Sequence, residues 1–303
     1  MRILDLQCLL NWFLRAREWQ GNMLNLIAKL FLGKGIDKKL PFLVDWYKAA
    51  FLKFSKAGET EVEIPMGLKM LVSDKDAGLG LFLRLKKGFE PQQTKLFVET
   101  VKRNQTVVDI GANVGIYTLM AAKLVGKNGM VYAFEPDPDN FKLLEKNVKL
   151  NGFTNVRLVN AAVADKTGTL AFAQDRANPG ESHIGNGKLQ VQAVRLADWL
   201  KKEKVEKINV IKMDIEGAEV SALTGMVGDT KTFLNTKLFA ECNSKALAGF
   251  GKQPIDLVEA MKNIGWKPTK VIDEFAKKTT SFNPMIFRKA LARSSYVTLY
   301  AEK

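Results

Sequence analysis

The 303-residue chain carries two cysteines, Cys8 and Cys242, and a single histidine, His183. Two thiols so far apart in sequence cannot form a disulfide framework, and beside one imidazole they offer no ligand spacing for structural zinc, so no metal is expected. This thiol usage suits a reducing cytoplasm, with Cys242 packing in the core. No stretch reaches 18 uncharged apolar residues, which argues against a membrane-spanning helix. A secretory signal is not expected either, because Asp5 interrupts a short apolar run and no small-residue cleavage site follows. Acidic residues are scarce: 32 Asp and Glu face 46 Lys and Arg, for a net charge of +14. That balance attracts anionic partners, whether nucleic acid, acidic lipid or a phosphorylated or acidic glycan, and it also serves plain solubility. Internal repeats and low-complexity tracts are absent.

With 47% apolar residues, the chain has enough to bury one large core plus an appendage. Residues 1–58 hold ten Lys and Arg against four Asp and Glu, so the positive charge is densest there. Met23, Leu26, Ile27, Leu30 and Phe31 follow helical spacing, as do Ile3, Leu6, Leu10, Phe13 and Leu14. Trp12, Trp19, Trp46 and Tyr47 are the kind of aromatics favoured at wet apolar boundaries. This amphipathic helical segment either packs on the main domain, lies on a membrane surface or docks a partner chain. Peripheral membrane contact would put a cytoplasmic protein at the inner face of the membrane. Residues 59–90 read as a small β module, with strands from Glu61 to Pro65 and Leu68 to Ser73 joined through Met66-Gly67; it holds no residues arranged for chemistry and would cover a sheet edge.

The most informative stretch is Val107-Val108-Asp109-Ile110-Gly111-Ala112-Asn113-Val114-Gly115, an apolar strand that turns into an amphipathic helix. Small residues fall at alternate positions 111, 113 and 115. The dinucleotide fingerprint G-x-G-x-x-G would need glycine at 113 and 116, where the chain has Asn and Ile. Gly111 and Asn113 tolerate positive φ, and Gly115 permits close approach of the helix. The spacing favours S-adenosylmethionine over a nicotinamide cofactor. A second strand, Met130 to Phe134, ends at Glu135-Pro136, which places a carboxylate at the neighbouring strand tip, where it can accept hydrogen bonds from ribose hydroxyls. From Val107 onward strands and helices alternate as in parallel crossovers: strands at 107–110, 130–134, 155–160, 208–213, 237–242 and 267–272, and a last, antiparallel strand at 296–301. The rhythm breaks at 168–194, around a glycine-bearing loop at 174–188.

From about residue 90 to 275 the chain resembles the FkbM family of S-adenosylmethionine-dependent methyltransferases. The likeness rests on five ordered blocks: Val108 to Thr118; Ala133-Phe134-Glu135-Pro136; Asn151 with Asn155-Val156; Ala161-Ala162-Val163-Ala164-Asp165; and Ile211-Lys212-Met213-Asp214-Ile215-Glu216-Gly217-Ala218-Glu219. It implies an α/β fold with the class I methyltransferase, Rossmann-like seven-stranded sheet over residues 91–303. It also implies O-methylation of a hydroxyl on a sugar, glycan or small metabolite. Residues 1–58 fall outside it.

Asp109, Gly111, Ala112, Asn113, Gly115, Glu135, Pro136, Ala162 and Asp214 are the candidate cofactor residues. Methyl transfer to oxygen needs collinear placement and removal of the hydroxyl proton, so a carboxylate or imidazole is sought as general base. Asp214 ends a strand at the carboxyl edge, where open α/β folds gather ligands. Glu216 and Glu219 are expected to start the following helix, where capping is the plainer role. His183, in the glycine-bearing loop, and Glu241, in Phe239-Ala240-Glu241-Cys242-Asn243, complete the catalytic candidates. Asp214 and Glu241 could hold a divalent ion, but two oxygen ligands are too few to assert one. The acceptor pocket is expected from residues 174–188 and 275–293. A nucleic-acid methyltransferase is the nearest rival, disfavoured because the strand end reads Asp214-Ile215-Glu216-Gly217 rather than Asn/Asp-Pro-Pro-aromatic. A noncatalytic adenosyl-binding or membrane-docking module is the second alternative. Oligomeric state is not encoded.

Overall fold

The computed structural model describes residues 58–85, 89–229 and 231–303. The amphipathic stripes and aromatics read within residues 1–57, and the membrane contact suggested for them, lie outside the described residues. The chain opens with a hairpin of β1 (Glu59–Ile64) and β2 (Leu68–Ser73), then α1 (Leu79–Leu85) and α2 (Pro91–Thr100). Crossovers follow: β3 (Thr106–Ile110), α3 (Ile116–Val125), β4 (Met130–Phe134), α4 (Pro138–Leu150) and β5 (Val156–Val159). Next come four short strands, β6 (Ala162–Ala164), β7 (Gly168–Ala173), β8 (His183–Ile184) and β9 (Leu189–Arg195), and α5 (Leu196–Lys202). The rhythm resumes with β10 (Val210–Met213), α6 (Glu219–Thr224), β11 (Lys237–Asn243), α7 (Ser244–Gly249) and α8 (Pro254–Asn263). The described chain closes with β12 (Lys267–Asp273), β13 (Lys278–Ser281), α9 (Pro284–Ser294) and β14 (Tyr296–Glu302).

The main sheet runs β13-β12-β14-β11-β10-β3-β4-β5. Strands β11, β10, β3, β4 and β5 are parallel, and β14 inserts antiparallel between β11 and β12. All seven expected strands are present, the last antiparallel as anticipated. The eighth, β13, pairs with β12 through Lys270↔Ser281 to Asp273↔Lys278. Its sequence, Lys278-Thr279-Thr280-Ser281, has no apolar alternation, so nothing in the pattern signals a strand. The central strand β10 is Val-Ile-Lys-Met and wholly buried, as a parallel strand covered on both faces must be. Helices start where capping chemistry is available: Asp137 accepts from Asp139 N and Asn140 N ahead of Pro138, and Asn283 does the same for α9.

One face of the sheet is covered by α2, α3, α4 and the hairpin, the other by α5, α6, α8 and α9. The hairpin does not cover a sheet edge. It forms its own two-stranded sheet and packs through β2 on α4. The reason lies in two amides one helical turn apart. Asn147 Oδ1 accepts from Leu71 N at 2.6 Å while its Nδ2 donates to Leu71 O and to Val114 O, and Asn151 brackets Lys69 N and O in the same way. These side chains satisfy the free edge of β2 as another strand would. Asn147 is fully buried, so Asn147→Ala is expected to cost about 1–3 kcal/mol by stranding the Leu71 backbone groups. Urea unfolding should register that loss, and hydrogen exchange at Leu71 should accelerate; unchanged exchange there would show that the amides do not hold the hairpin.

Candidate active site

β3 and β4 end side by side at the carboxyl edge of the sheet, and their loops are tied together by one side chain. Glu135 Oε2 accepts from Asn113 N at 2.7 Å and Oε1 from Asp137 N at 2.8 Å. Each oxygen can accept once more. Gly111 N and Ala112 N both donate to the Phe134 carbonyl. Gly111 and Asn113 take positive φ, 79° and 51°, as their small or amide side chains allow. Gly111 sits against the end of β10, where an added Cβ would overlap the Asp214 carbonyl oxygen and stand 2.9 Å from Ile215 Cγ2.

The cleft above these loops gathers most of the candidates. Gly111, Asn113, Glu135, Pro136, Ala162, His183, Asp214 and Glu216 all line it. Its far wall is the small sheet β6-β9-β7-β8 and the loop around it, which contributes Phe172, Gly180, Ser182 and Ile184. Residues 174–188 therefore reach the cleft, whereas 275–293, which form β13 and α9, do not line it. The exposed His183 places Nδ1 2.8 Å from the Glu181 carbonyl, which can only accept, so in the neutral imidazole the proton sits on Nδ1 and Nε2 is the acceptor. Glu216 does not start the helix. It sits in the preceding turn at φ 50°, and α6 begins at Glu219, whose Oε1 takes Ile215 N and Gly217 N and so fills the capping role. Burial, followed by the charges of Asp214 and Glu219, pushes the Glu216 carboxyl up to about 8.

Asp109, Ala112, Gly115 and Glu241 lie outside the cleft lining. Ala112 is buried beneath the loop, and Gly115 lets α3 approach α4 so closely that a Cβ would stand 2.6 Å from Leu144 Cδ1. Asp109 is turned inward, its Oδ2 accepting from Thr118 Oγ1 at 2.6 Å, and burial raises its pKa to about 6. Its register partner on β10 is Lys212, 2% exposed, whose Nζ meets Asp214 Oδ2 at 3.1 Å and lies 5.0 Å from the centre of the Tyr117 ring. Tyr117 OH donates to Glu90 Oε2 at 2.7 Å, and Gln93 Nε2 donates to the same oxygen. Glu90, Asp214 and Glu241 bring carboxylate oxygens within 4.8 Å of one another. Burial pushes Glu90 up to about 7 despite Lys212, and Glu241 well above the ordinary carboxylate range. Edge-on aromatic pairs wall this region: Tyr117 on Phe97, Phe97 on Phe239 and Phe239 on Tyr300, with centroids 5.0–5.6 Å apart.

Comparison with known proteins decides the family. The sequence model of the methyltransferase FkbM domain matches residues 109–262, half of the chain. The chain belongs to the FkbM methyltransferase family. Methyltransferase 1 of Beauveria bassiana is 25% identical over 163 residues, 46% of this chain and 65% of that protein. The hexuronic acid methyltransferase AglP of Haloferax volcanii is 27% identical over 139 residues, 45% of this chain and 56% of its own length. The 2-O-methyltransferase NoeI of Sinorhizobium fredii is 25% identical over 144 residues, covering 41% and 58% respectively. The matches thus span less than two thirds of these relatives.

The FkbM family uses S-adenosylmethionine, in keeping with the glycine spacing of the β3 loop. The lining of the cleft in this FkbM chain has the chemistry that group needs: Glu135 retains acceptor capacity for hydroxyls, and Phe134, Val163 and Ile184 offer apolar wall. Two residues of the buried cluster escaped the sequence. Glu90 precedes the FkbM match and ends the segment read as a β module without chemistry. Lys212 stood inside the last motif block, where a charge in an apolar strand was the available signal.

Proposed function

We propose that the chain is an S-adenosylmethionine-dependent O-methyltransferase whose acceptor is a hydroxyl of a sugar, glycan or small metabolite. The observation that carries this reading is the cleft in which Glu135, Asp214, Glu216 and His183 converge beside the Gly111 cradle. The hexuronic acid and 2-O-methyltransferases among its relatives support a sugar hydroxyl. Bound S-adenosylmethionine supplies an electrophilic methyl on a positively charged sulfur. With the cofactor bound, Glu135 would hold the ribose hydroxyls, and His183 Nε2 or the Glu216 carboxylate, whose pKa is raised to about 8, would take the proton of the acceptor hydroxyl as the methyl passes to its oxygen.

The test is calorimetric titration with S-adenosylmethionine, followed by transfer of a labelled methyl group to a panel of hydroxylated glycans. Saturable binding that Glu135→Ala abolishes, followed by methylation of at least one acceptor, is expected. A folded protein that binds no cofactor would overturn the proposal. The pH dependence gives a second check. Burial raises Glu135 to about 8, ahead of the lowering by the Asp137 and Asn113 backbone donors. Ribose hydroxyls donate to the ionised carboxylate, so binding favours the form populated as pH rises. Affinity should increase by about tenfold per unit from pH 6 towards 8 and then level off. Glu135→Gln should flatten that profile; an unaltered slope in the variant would move the titrating group elsewhere.

A further inference from the structure

Beside the cleft, three carboxylates from different parts of the chain converge: Glu90 from the left-handed residue that precedes α2, Asp214 from the end of β10, and Glu241 from β11. Glu241 is 9% exposed, and among the described residues its carboxylate accepts no hydrogen bond and joins no ion pair, yet its oxygen stands within 4.8 Å of the other two. Among the described residues one cation, Lys212, faces them and is committed to Asp214 Oδ2, leaving Asp214 Oδ1 free. Among those residues, then, three carboxyl groups share one ammonium, and Glu241 has no partner of its own.

We propose that Glu90, Asp214 and Glu241 form a binding site for one hard divalent cation of the magnesium or manganese class. Such ions take carboxylate oxygens as ligands, and a 2+ charge would partner the carboxylate oxygens that Lys212 leaves free. The spacing of the oxygens suits a common centre. Glu90 is already oriented by the Tyr117 hydroxyl and the Gln93 amide, partners of the kind that fix ligand direction around metals. Asp214 belongs both to this site and to the cleft lining, so a bound ion would sit beside the acceptor's place and could take an acceptor oxygen as a further ligand. That last role rests on the O-methyltransferase reading; the cation site itself does not.

The experiment titrates Mn2+ alone into the full-length protein stripped of divalent ions, following free Mn2+ by electron paramagnetic resonance and the thermal midpoint in parallel. One Mn2+ per chain and a rise in the midpoint are expected, with affinity weakened about tenfold or more in Glu241→Gln and in Glu90→Gln, and unchanged in Glu206→Gln, which alters an exposed acid. Absence of saturable binding by folded wild-type protein would overturn the proposal, as would equal binding by folded Glu241→Gln and Glu90→Gln. Displacement of Mn2+ by saturating S-adenosylmethionine would also overturn it, showing that the carboxylates receive the cofactor's ammonium group instead. Titrating S-adenosylmethionine into the metal-free protein reports on the cofactor cleft separately, so a failure of one site is not mistaken for failure of the other.

Discussion

Lys212→Met should destabilise the ligand-free protein by about 3–5 kcal/mol at pH 8, the usual consequence of stripping a buried charge cluster of its counter-ion. Methionine nearly matches the lysine stem in volume, so packing against Tyr117 and Phe239 is retained and the loss isolates the charge. Lys212 pairs with Asp214 and lowers the proton affinities of Glu90, Asp109 and Glu241. Without it those carboxyls rise further above their unfolded values. A group with a raised folded pKa contributes stability below its unfolded pKa and loses it as pH climbs through the folded one, so the deficit of the variant should be small at pH 5, below the folded values of about 6 and 7 at Asp109 and Glu90, and much larger at pH 8. Urea unfolding at the two pH values measures it. A deficit of equal size at both would mean that packing, and not charge, is what Lys212 provides.

Gly111→Ala carries the second large effect. At φ 79° an alanine bears left-handed strain of about 1–2 kcal/mol, and its Cβ would be forced into the Asp214 carbonyl and Ile215, adding about 1–3 kcal/mol unless the two loops part. Parting them opens the seat of the cofactor, so stability and S-adenosylmethionine affinity should fall together. Gly152→Ala is the matched comparison: φ is 66°, nothing lies within 4 Å of the added atom, and only the conformational cost of about 1 kcal/mol is expected, with cofactor binding intact. If both substitutions behaved alike, the contact between the β3 loop and the β10 turn would have no energetic consequence.

The order of strands was legible because each crossover carries its own periodicity, and the tilt of the β3 loop because only small residues tolerate the dihedrals at 111 and 113. The cleft followed from these, since strand ends at a carboxyl edge converge whatever decorates them. Elements without periodicity stayed hidden: β13 is four polar residues that form a strand only because β12 offers an open edge. The hairpin's position was hidden for a related reason, as Asn147 and Asn151 read as ordinary polar residues of a helix until β2 lies beside them. Glu219 opens α6 as its sequence position suggests, whereas Glu216 falls in the turn before it, where Glu216 and Gly217 both take positive φ. Glu90 was invisible because nothing in a Glu-Pro dipeptide tells which distant carboxylates it will meet; that is decided by how α2 packs across the sheet.

The row of rings formed by Tyr117, Phe97, Phe239 and Tyr300 has an importance beyond holding helices to strands. Burial is what raises Glu90, Asp109 and Glu241, and the apolar rings of Phe97 and Phe239 belong to the core on that face of the sheet. Replacing either phenylalanine with a smaller residue that lets water in would therefore loosen the grip of these carboxyls on their protons without altering a single acid or base.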